Sequence, residues 1–133
     1  MSIFISYRFS HVPIDDLGKL LNPVYNALKE KNIDVFCNFY RAATYIEEKY
    51  TVKQIMEDCF HEIDKKDNVL CLVDTDQYSC GMLLEIGYAL SKNKHITVCF
   101  RTGCEIDTLK LMADKVIIYE DYTELYVSLS QIF

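Results

Sequence analysis

One carboxylate stands alone in an apolar stretch of the sequence. Residues 79–90, SCGMLLEIGYAL, contain a single charged side chain, Glu85, among apolar and small residues. The run before them, residues 68–73, is apolar enough for a buried strand, so the stretch predicts a loop that turns into a helix with Ser79 as its N-cap. The helix dipole stabilises a carboxylate near a helix start by about 0.3–1 kcal/mol. This structural role alone would account for a glutamate at position 85. In a dry and accessible niche, a lone carboxylate also suits nucleophilic or acid–base chemistry.

The elements that would position Glu85 alternate between strands and helices. Apolar and β-branched runs predict five strands, at residues 2–6, 33–37, 68–73, 95–100 and 115–119. Amphipathic patterns and N-cap residues predict helices that begin near residues 14, 51, 79, 108 and 121. Strands that alternate with helices at this spacing form a parallel sheet covered on both faces. We therefore expect a single domain over residues 1–133, an α/β fold with a doubly wound five-stranded parallel sheet in the flavodoxin-like order 2-1-3-4-5.

Three local features complicate this pattern. Pro23 falls inside the first predicted helix, which predicts either a kink or a new first turn capped by Asn22. Residues 38–50 are aromatic and polar, and they predict a mobile loop with a short helix. In the helix that follows this loop, Asp58 and Glu62 are four residues apart, and the pattern places both on its outer face.

The predicted strand order places several polar residues at one cleft. Strands one and three are neighbours in this order, and the ligand crevice opens between their carboxyl ends. Ser6, Tyr7 and Arg8 leave the end of the first strand, and the segment after the third strand carries Ser79 and Glu85. These residues are therefore expected around the same cleft.

Each of these residues also has a structural alternative. The Arg8 guanidinium, beside the backbone N–H groups near Gly81, could hold a phosphate, or it could pair with an aspartate of the next helix. Tyr7 could hydrogen-bond a nucleophile or be an aromatic residue at a strand end. Asp58 could reach a leaving group, although most carboxylates on helices are solvated.

The composition excludes several classes of function. A net charge of −6 without a basic stripe argues against a nucleic-acid surface. No apolar run approaches the roughly 20 residues that span a bilayer, and the N-terminus does not resemble a signal peptide, so we expect a cytoplasmic protein without membrane contact. The 6 cysteines form no Cys-x-x-Cys pair and the 3 histidines are scattered, which predicts reduced thiols and no metal site. The sequence has no Walker loop or dinucleotide fingerprint, so we expect no cofactor.

The stretch from Ser79 to Ala89, with Lys92 or Lys94 before the next strand, resembles the signature of the nucleoside 2-deoxyribosyltransferase superfamily. This resemblance implies that Glu85 is the nucleophile that attacks the anomeric carbon of the sugar. Ser79 stands where the transferases usually have an aspartate. At that position the chain is more similar to the 2'-deoxynucleoside 5'-phosphate N-hydrolases, in which a serine contacts the 5'-phosphate.

The same resemblance assigns roles to other residues. Ser6-Tyr7-Arg8 is similar to the Ser-x-Arg that serves the phosphate in the N-hydrolase branch, and the Gly81 amide would assist Ser79 there. The tyrosine of the family's first strand falls near Phe4, and Tyr7 is the substitute. The family's helical aspartate, which aids the leaving base, falls one residue from Asp58, with Glu62 as the fallback.

The resemblance implies cleavage, by hydrolysis or transfer, of the N-glycosidic bond of 2'-deoxynucleoside 5'-monophosphates or nucleosides. Relatives commonly build this site across a dimer, so we expect a homo-oligomer that binds a small nucleotide or nucleoside. A second resemblance competes with the first, because Phe4-Ile5-Ser6-Tyr7 is similar to the opening of TIR domains. It would imply a NAD-cleaving enzyme or a non-enzymatic TIR-like interaction module.

Overall fold

The computed structural model describes residues 1–77 and 79–133 and shows a five-stranded sheet. The strands are β1 Ser2–Tyr7, β2 Asp34–Phe36, β3 Asn68–Val73, β4 His95–Arg101 and β5 Lys115–Tyr119. All four strand pairs are parallel, and the strand order is β2-β1-β3-β4-β5. The predicted fold class and strand order are therefore confirmed.

Helices cover both faces of the sheet. The described residues form α1 Ile14–Glu30, α2 Ala42–Glu47, α3 Val52–Asp64, α4 Cys80–Ser91, α5 Asp107–Met112 and α6 Tyr122–Ile132, with one 3-10 turn at Asn38–Arg41. On one face, α1 and α6 bury leucines such as Leu21 and Leu125 against the sheet. On the other face, α3, α4 and α5 bury residues such as Ile63, Met82 and Leu109. No helix in the described part of the chain is both long and apolar enough to cross a membrane.

Side-chain caps fix where the helices on the site's face begin. The Thr51 hydroxyl accepts a hydrogen bond from the Gln54 N–H at 3.2 Å, and the Gln54 side chain accepts one from the Thr51 N–H at 2.8 Å. This reciprocal capping box satisfies two N–H groups that lack partners inside the helix. The predicted N-cap at Ser79 is present too, since its hydroxyl accepts from the Met82 N–H at 3.3 Å.

Pro23 lies inside α1, which continues without interruption from Ile14 to Glu30. A proline has no N–H, so the carbonyl of Lys19, four residues earlier, lacks its usual helical donor. The Tyr126 hydroxyl of α6 donates to that carbonyl at 3.0 Å. A side chain from the neighbouring helix thus replaces the missing backbone hydrogen bond.

The segment 38–50 forms the 3-10 turn and α2, and it packs over α3. For this reason the prediction that Asp58 and Glu62 occupy the outer face of α3 is wrong. Glu62 is 6% exposed, and Asp58 is partly buried. Nη1 of Arg41 donates to the two Asp58 oxygens at 2.8 and 2.9 Å, and Nη2 donates to Glu62 at 3.1 Å. The Tyr45 hydroxyl adds a hydrogen bond to Asp58 at 2.5 Å.

The contact between Tyr126 and Lys19 predicts a coupling between two substitutions. Tyr126→Phe should lower the free energy of unfolding by roughly 0.5–1 kcal/mol, because the Lys19 carbonyl loses its donor. In a Pro23→Ala background, Tyr126→Phe should lower the free energy of unfolding by less, because residue 23 regains an N–H that can donate to the Lys19 carbonyl. Urea unfolding of the four proteins closes the double-mutant cycle. Strictly additive effects would contradict this account.

Candidate active site

Glu85 is a buried carboxylate in the second turn of α4. Its residue surface is 6% exposed, and Oε1 accepts a hydrogen bond from the Ser6 hydroxyl at 2.7 Å. Ser6 pairs in register with Cys71 of β3, and Phe4, two residues before Ser6, packs in the same core cluster as Cys71. Because alternate strand residues share a face, Ser6 is directed towards α4. Near its carboxyl end, β1 therefore provides a hydrogen-bond donor to Glu85.

Cys59 of α3 is a fully buried thiol that contributes to the pKa of Glu85. Nδ2 of Asn38 donates to the Cys59 sulfur at 3.4 Å, and Oδ1 of Asn38 accepts from the Tyr7 hydroxyl at 2.7 Å. Tyr7, Asn38 and Cys59 therefore form one hydrogen-bonded chain that joins β1, the segment 38–50 and α3.

The surroundings of Glu85 shift its acidity strongly. Burial raises the pKa of the Glu85 carboxyl to about 7, and the Ser6 hydrogen bond and the Cys59 thiol lower it against that effect. The protonated form of Glu85 is therefore far more favoured near neutral pH than it is for an exposed glutamate. Such a carboxyl can act as a nucleophile once ionised, and its pKa lies in the range of activated catalytic groups.

Ser79 and Gly81 lie at the start of the helix that carries Glu85. Ser79 is buried and its hydroxyl accepts the Met82 N–H, so it acts as the cap of α4. A methyl group at Gly81 would lie 3.7 Å from the Met56 sulfur, which is ordinary contact distance. The first-turn N–H groups of α4 are the ones that the predicted phosphate would use.

Arg8 lies beside a cavity of about 270 Å³ on the α1 and α6 side of the sheet edge. Lys19 and Arg101 bring two further positive charges to this cavity, and Asp16 and Asp74 bring two negative ones. Nε of Arg8 donates to the carbonyl of Ser10 at 2.9 Å. Within the described residues, no hydrogen bond or ion pair joins Arg8 to Glu85 or to Ser79.

The negative charge of Asp74 is compensated inside the protein. Its two carboxylate oxygens accept the hydroxyls of Tyr119 and Tyr122, each at 2.7 Å, and Arg101 lies 3.3 Å away. The Arg101 guanidinium also stacks over the Tyr122 ring at 5.4 Å. Asp74 therefore does not oppose an incoming anion with a full, uncompensated charge.

Asp58 is close to Cys59 in sequence but is directed elsewhere. Its carboxylate accepts from Arg41 and Tyr45, and these bonds tie α3 to the segment 38–50. A role for Asp58 in protonating the leaving base stays a prediction, and it would require these bonds to loosen.

Sequence reasoning missed Asn38 and Cys59. Cys59 lies at a predicted inward-facing position of α3, where a cysteine is ordinarily a small hydrophobic residue. Asn38 lies in the segment 38–50, whose path the sequence pattern did not determine. The sequence pattern gave neither residue a polar role. Among the described residues, no group of three or more His, Cys, Asp or Glu side chains could hold a metal ion.

The fold and the buried carboxylate agree with a family match. The family model described as nucleoside 2-deoxyribosyltransferase matches residues 9–115, and the chain belongs to this family. It is therefore an enzyme of the class that breaks the N-glycosidic bond between a base and its sugar. The first of the two resemblances drawn from the sequence is thereby confirmed. No curated protein matches the sequence.

Solved structures show the same fold at low sequence identity. Clostridium botulinum CMP N-glycosidase BcmB has a TM-score of 0.74 and 19% identity, with 100% of both chains covered. A conserved protein from Enterococcus faecalis has a TM-score of 0.68 and 16% identity, covering 100% of this chain and 99% of the other. A flavodoxin-like domain from a Synechococcus species has a TM-score of 0.58 and 10% identity, over 98% and 94% of the two chains.

Burial of Glu85 predicts a pH-dependent cost to stability. Its folded-state pKa of about 7 exceeds the ordinary value of 4.5, so the unfolded chain releases this proton first as pH rises. The stability that Glu85 contributes is therefore full below about pH 4.5 and is lost as pH rises towards 7, by about 3 kcal/mol in total. Glu85→Gln removes this titration, so the variant should gain stability relative to the wild type between pH 4 and pH 8. Urea unfolding across that pH range measures the difference in stability, and Glu47→Gln, a substitution of an exposed glutamate, is the control. Parallel curves for wild type and Glu85→Gln would contradict the prediction.

Proposed function

We propose that this protein cleaves the N-glycosidic bond of 2'-deoxynucleoside 5'-monophosphates, with Glu85 as the nucleophile. The observation that carries this proposal is the buried Glu85 carboxyl, which accepts a hydrogen bond from the Ser6 hydroxyl near the carboxyl end of β1. In an open α/β sheet, ligands bind at this edge, beside the switch between β1 and β3.

The chemistry follows from the geometry of a single carboxylate. Ionised Glu85 attacks the anomeric carbon, the bond from that carbon to the base nitrogen breaks, and the base leaves with the bonding electron pair. The transition state is oxocarbenium-like and the product is a glycosyl ester of Glu85, as in retaining glycosidases. Asp58 or water supplies a proton to the base. Water, or a second base, then attacks the same carbon and releases Glu85.

The surroundings of Glu85 suit this sequence of steps. In a dry site a carboxylate is poorly solvated, so its attack does not require the removal of a tight water shell. The hydrogen bond from Ser6 lowers the pKa of Glu85 against the effect of burial and so favours the ionised form. Without it, burial would favour the protonated and unreactive form more strongly.

The proposed 5'-phosphate site combines Ser6, Arg8, Ser79 and the Gly81 amide. In the free protein the Ser6 hydroxyl donates to Glu85 and the Ser79 hydroxyl caps α4, so both would have to exchange or share partners. Arg8 has only its Nε engaged among the described residues. It is therefore the residue on which the phosphate part of the proposal chiefly depends.

The comparisons support a nucleoside or nucleotide substrate. The family's name states transfer of 2-deoxyribosyl groups of nucleosides, and one structural neighbour is named for its action on CMP, a nucleoside monophosphate. The homo-oligomer and the cytoplasmic location remain predictions from the sequence.

The nucleophile is tested by Glu85→Gln. The variant should keep the fold while release of free base falls by several orders of magnitude, because an amide cannot form the glycosyl ester. The assay incubates wild type and variant with a panel of deoxynucleoside monophosphates, nucleosides and NAD, and separates the released bases by chromatography. Near-normal activity of the variant would exclude the mechanism. Release of nicotinamide from NAD with monophosphates untouched would exclude the proposed substrate class.

The phosphate site is tested by Arg8→Ala. Loss of a charge-assisted hydrogen bond of roughly 1.5–3 kcal/mol should reduce kcat/KM for a monophosphate about ten- to a hundredfold. Activity on the matching nucleoside should stay near that of the wild type, because it has no phosphate to lose. Arg8→Lys keeps the charge without the forked geometry of the guanidinium. Its kcat/KM for a monophosphate should therefore lie between the values for the wild type and Arg8→Ala. Equal losses on nucleotide and nucleoside would show that Arg8 has a structural role.

A further inference from the structure

The cavity beside Arg8 has an excess of positive charge in an acidic protein. Three cationic side chains line it, Arg8, Lys19 and Arg101, against the two carboxylates of Asp16 and Asp74. The whole chain carries a net charge of −6, so the charge of this cavity is opposite in sign to that of the protein. A concave surface with an excess of one sign of charge attracts ions of the other sign. The cavity therefore favours an anionic ligand.

Arg101 is held in place at the end of β4. It pairs in register with Tyr119 of β5, its Nη1 lies 3.3 Å from Oδ1 of Asp74, and its guanidinium stacks over the Tyr122 ring at 5.4 Å. The hydroxyls of both tyrosines donate to the same carboxylate. The Arg101 side chain is still 41% exposed, and a guanidinium has five N–H donors. Arg101 can therefore bind a phosphate oxygen without a change of position.

The other two cations of the cavity have fewer protein partners. Nε of Arg8 donates to the Ser10 carbonyl, and the Nη groups of Arg8 have no protein partner among the described residues. Lys19 is exposed, and its ammonium forms no ion pair within the described part of the chain. The loop after β1, the α1 helix and the end of β4 thus each bring one cation to the same cavity.

The start of α4, the other candidate position for a phosphate, has no basic side chain of its own. Its first four residues are Cys80 to Leu83, and the Ser79 hydroxyl already accepts from the Met82 N–H. A helix N-terminus offers about half a positive charge. A phosphate dianion is therefore better neutralised by the three cations of the cavity.

The size of the cavity limits what it can hold. Its volume of about 270 Å³ is just below the range of roughly 300–1,000 Å³ that is typical of ligand pockets. This volume suits a phosphate and its sugar and is too small for a dinucleotide.

We propose that this cavity receives the 5'-phosphate of the substrate, and that Arg101 and Lys19 bind the phosphate together with Arg8. The inference rests on the proposed function, and it extends the phosphate site from the start of α4 across the edge of the sheet to α1 and β4. Arg101 and Lys19 then determine the preference for a nucleotide over a nucleoside. Asp16 faces the same cavity and opposes the phosphate by its charge.

Binding is measured by NMR titration of the full chain with 2-deoxyribose 5-phosphate, the sugar phosphate that hydrolysis would release. Inorganic phosphate and 2-deoxyribose are the comparison ligands, and each should bind more weakly. Arg101→Gln should weaken binding of the sugar phosphate about tenfold, and Lys19→Gln, at an exposed position, about two- to fivefold. Lys29→Gln removes the same charge from α1 about 15 Å further along the helix and should leave binding near that of the wild type.

A substitution of opposite sign separates the effect of charge from damage to the structure. Asp16→Asn removes a negative charge from the cavity and should strengthen binding of the sugar phosphate about two- to fivefold. Asp15→Asn, at the adjacent position of α1 and outside the cavity lining, should change binding less. Higher salt concentration should reduce the effects of Lys19→Gln and Asp16→Asn together.

Base release from a deoxynucleoside monophosphate and from the matching nucleoside gives the second readout. Arg101→Gln and Lys19→Gln should lower kcat/KM for the monophosphate by similar factors and leave the nucleoside rate near that of the wild type. Unchanged binding in both Lys19→Gln and Asp16→Asn would overturn the inference, whether or not the wild type releases base. Inorganic phosphate that binds as tightly as the sugar phosphate would also overturn it. Charge-dependent binding of the sugar phosphate without any base release would instead refute the proposed function.

Discussion

Burial of one ionisable carboxyl between the sheet and α4 is the constraint on which the site depends. Removing a carboxylate from water costs a large free energy unless hydrogen bonds compensate for it. Here the Ser6 hydroxyl of β1 donates a hydrogen bond to the Glu85 carboxylate. The β1 strand and the α4 helix must therefore keep their mutual positions for Glu85 to stay both buried and hydrogen-bonded.

The segment 38–50 joins the stability of the fold to the geometry of the site. Arg41 binds Asp58 and Glu62 of α3, and its guanidinium stacks over the Phe36 ring at 4.7 Å. Three residues before Arg41, Asn38 donates to Cys59 on the same helix. The ion pairs thus hold the segment 38–50 against α3, and Asn38 adds a hydrogen bond to Cys59 of that helix.

The sequence predicts most of the fold because its signals are local. The runs at β3 and β5 are bounded by polar residues, and their ends coincide with the predicted ones, while Ser79 caps α4 as its spacing indicates. The location of the crevice, and the expected place of Glu85 beside it, follow from the predicted strand order. The features that could not be predicted depend on contacts between distant residues. Arg41 pairs with Asp58, which is therefore partly buried and not solvated, and Asn38 donates a hydrogen bond to the Cys59 sulfur. Neither a hydrophobic period nor a propensity contains such information.

The neutral thiols have a consequence for how the protein withstands oxidants. Oxidation and alkylation proceed through the thiolate, and burial keeps Cys37, Cys59, Cys71 and Cys99 as thiols by raising the pKa of each. A thiol can therefore lie in the buried surroundings of Glu85 without adding a redox-sensitive group there. The exposed Cys80, at the first residue of α4, is the one among the six that solvent-borne electrophiles reach most readily. Peroxide or iodoacetamide would accordingly mark the rim of the site and spare its centre.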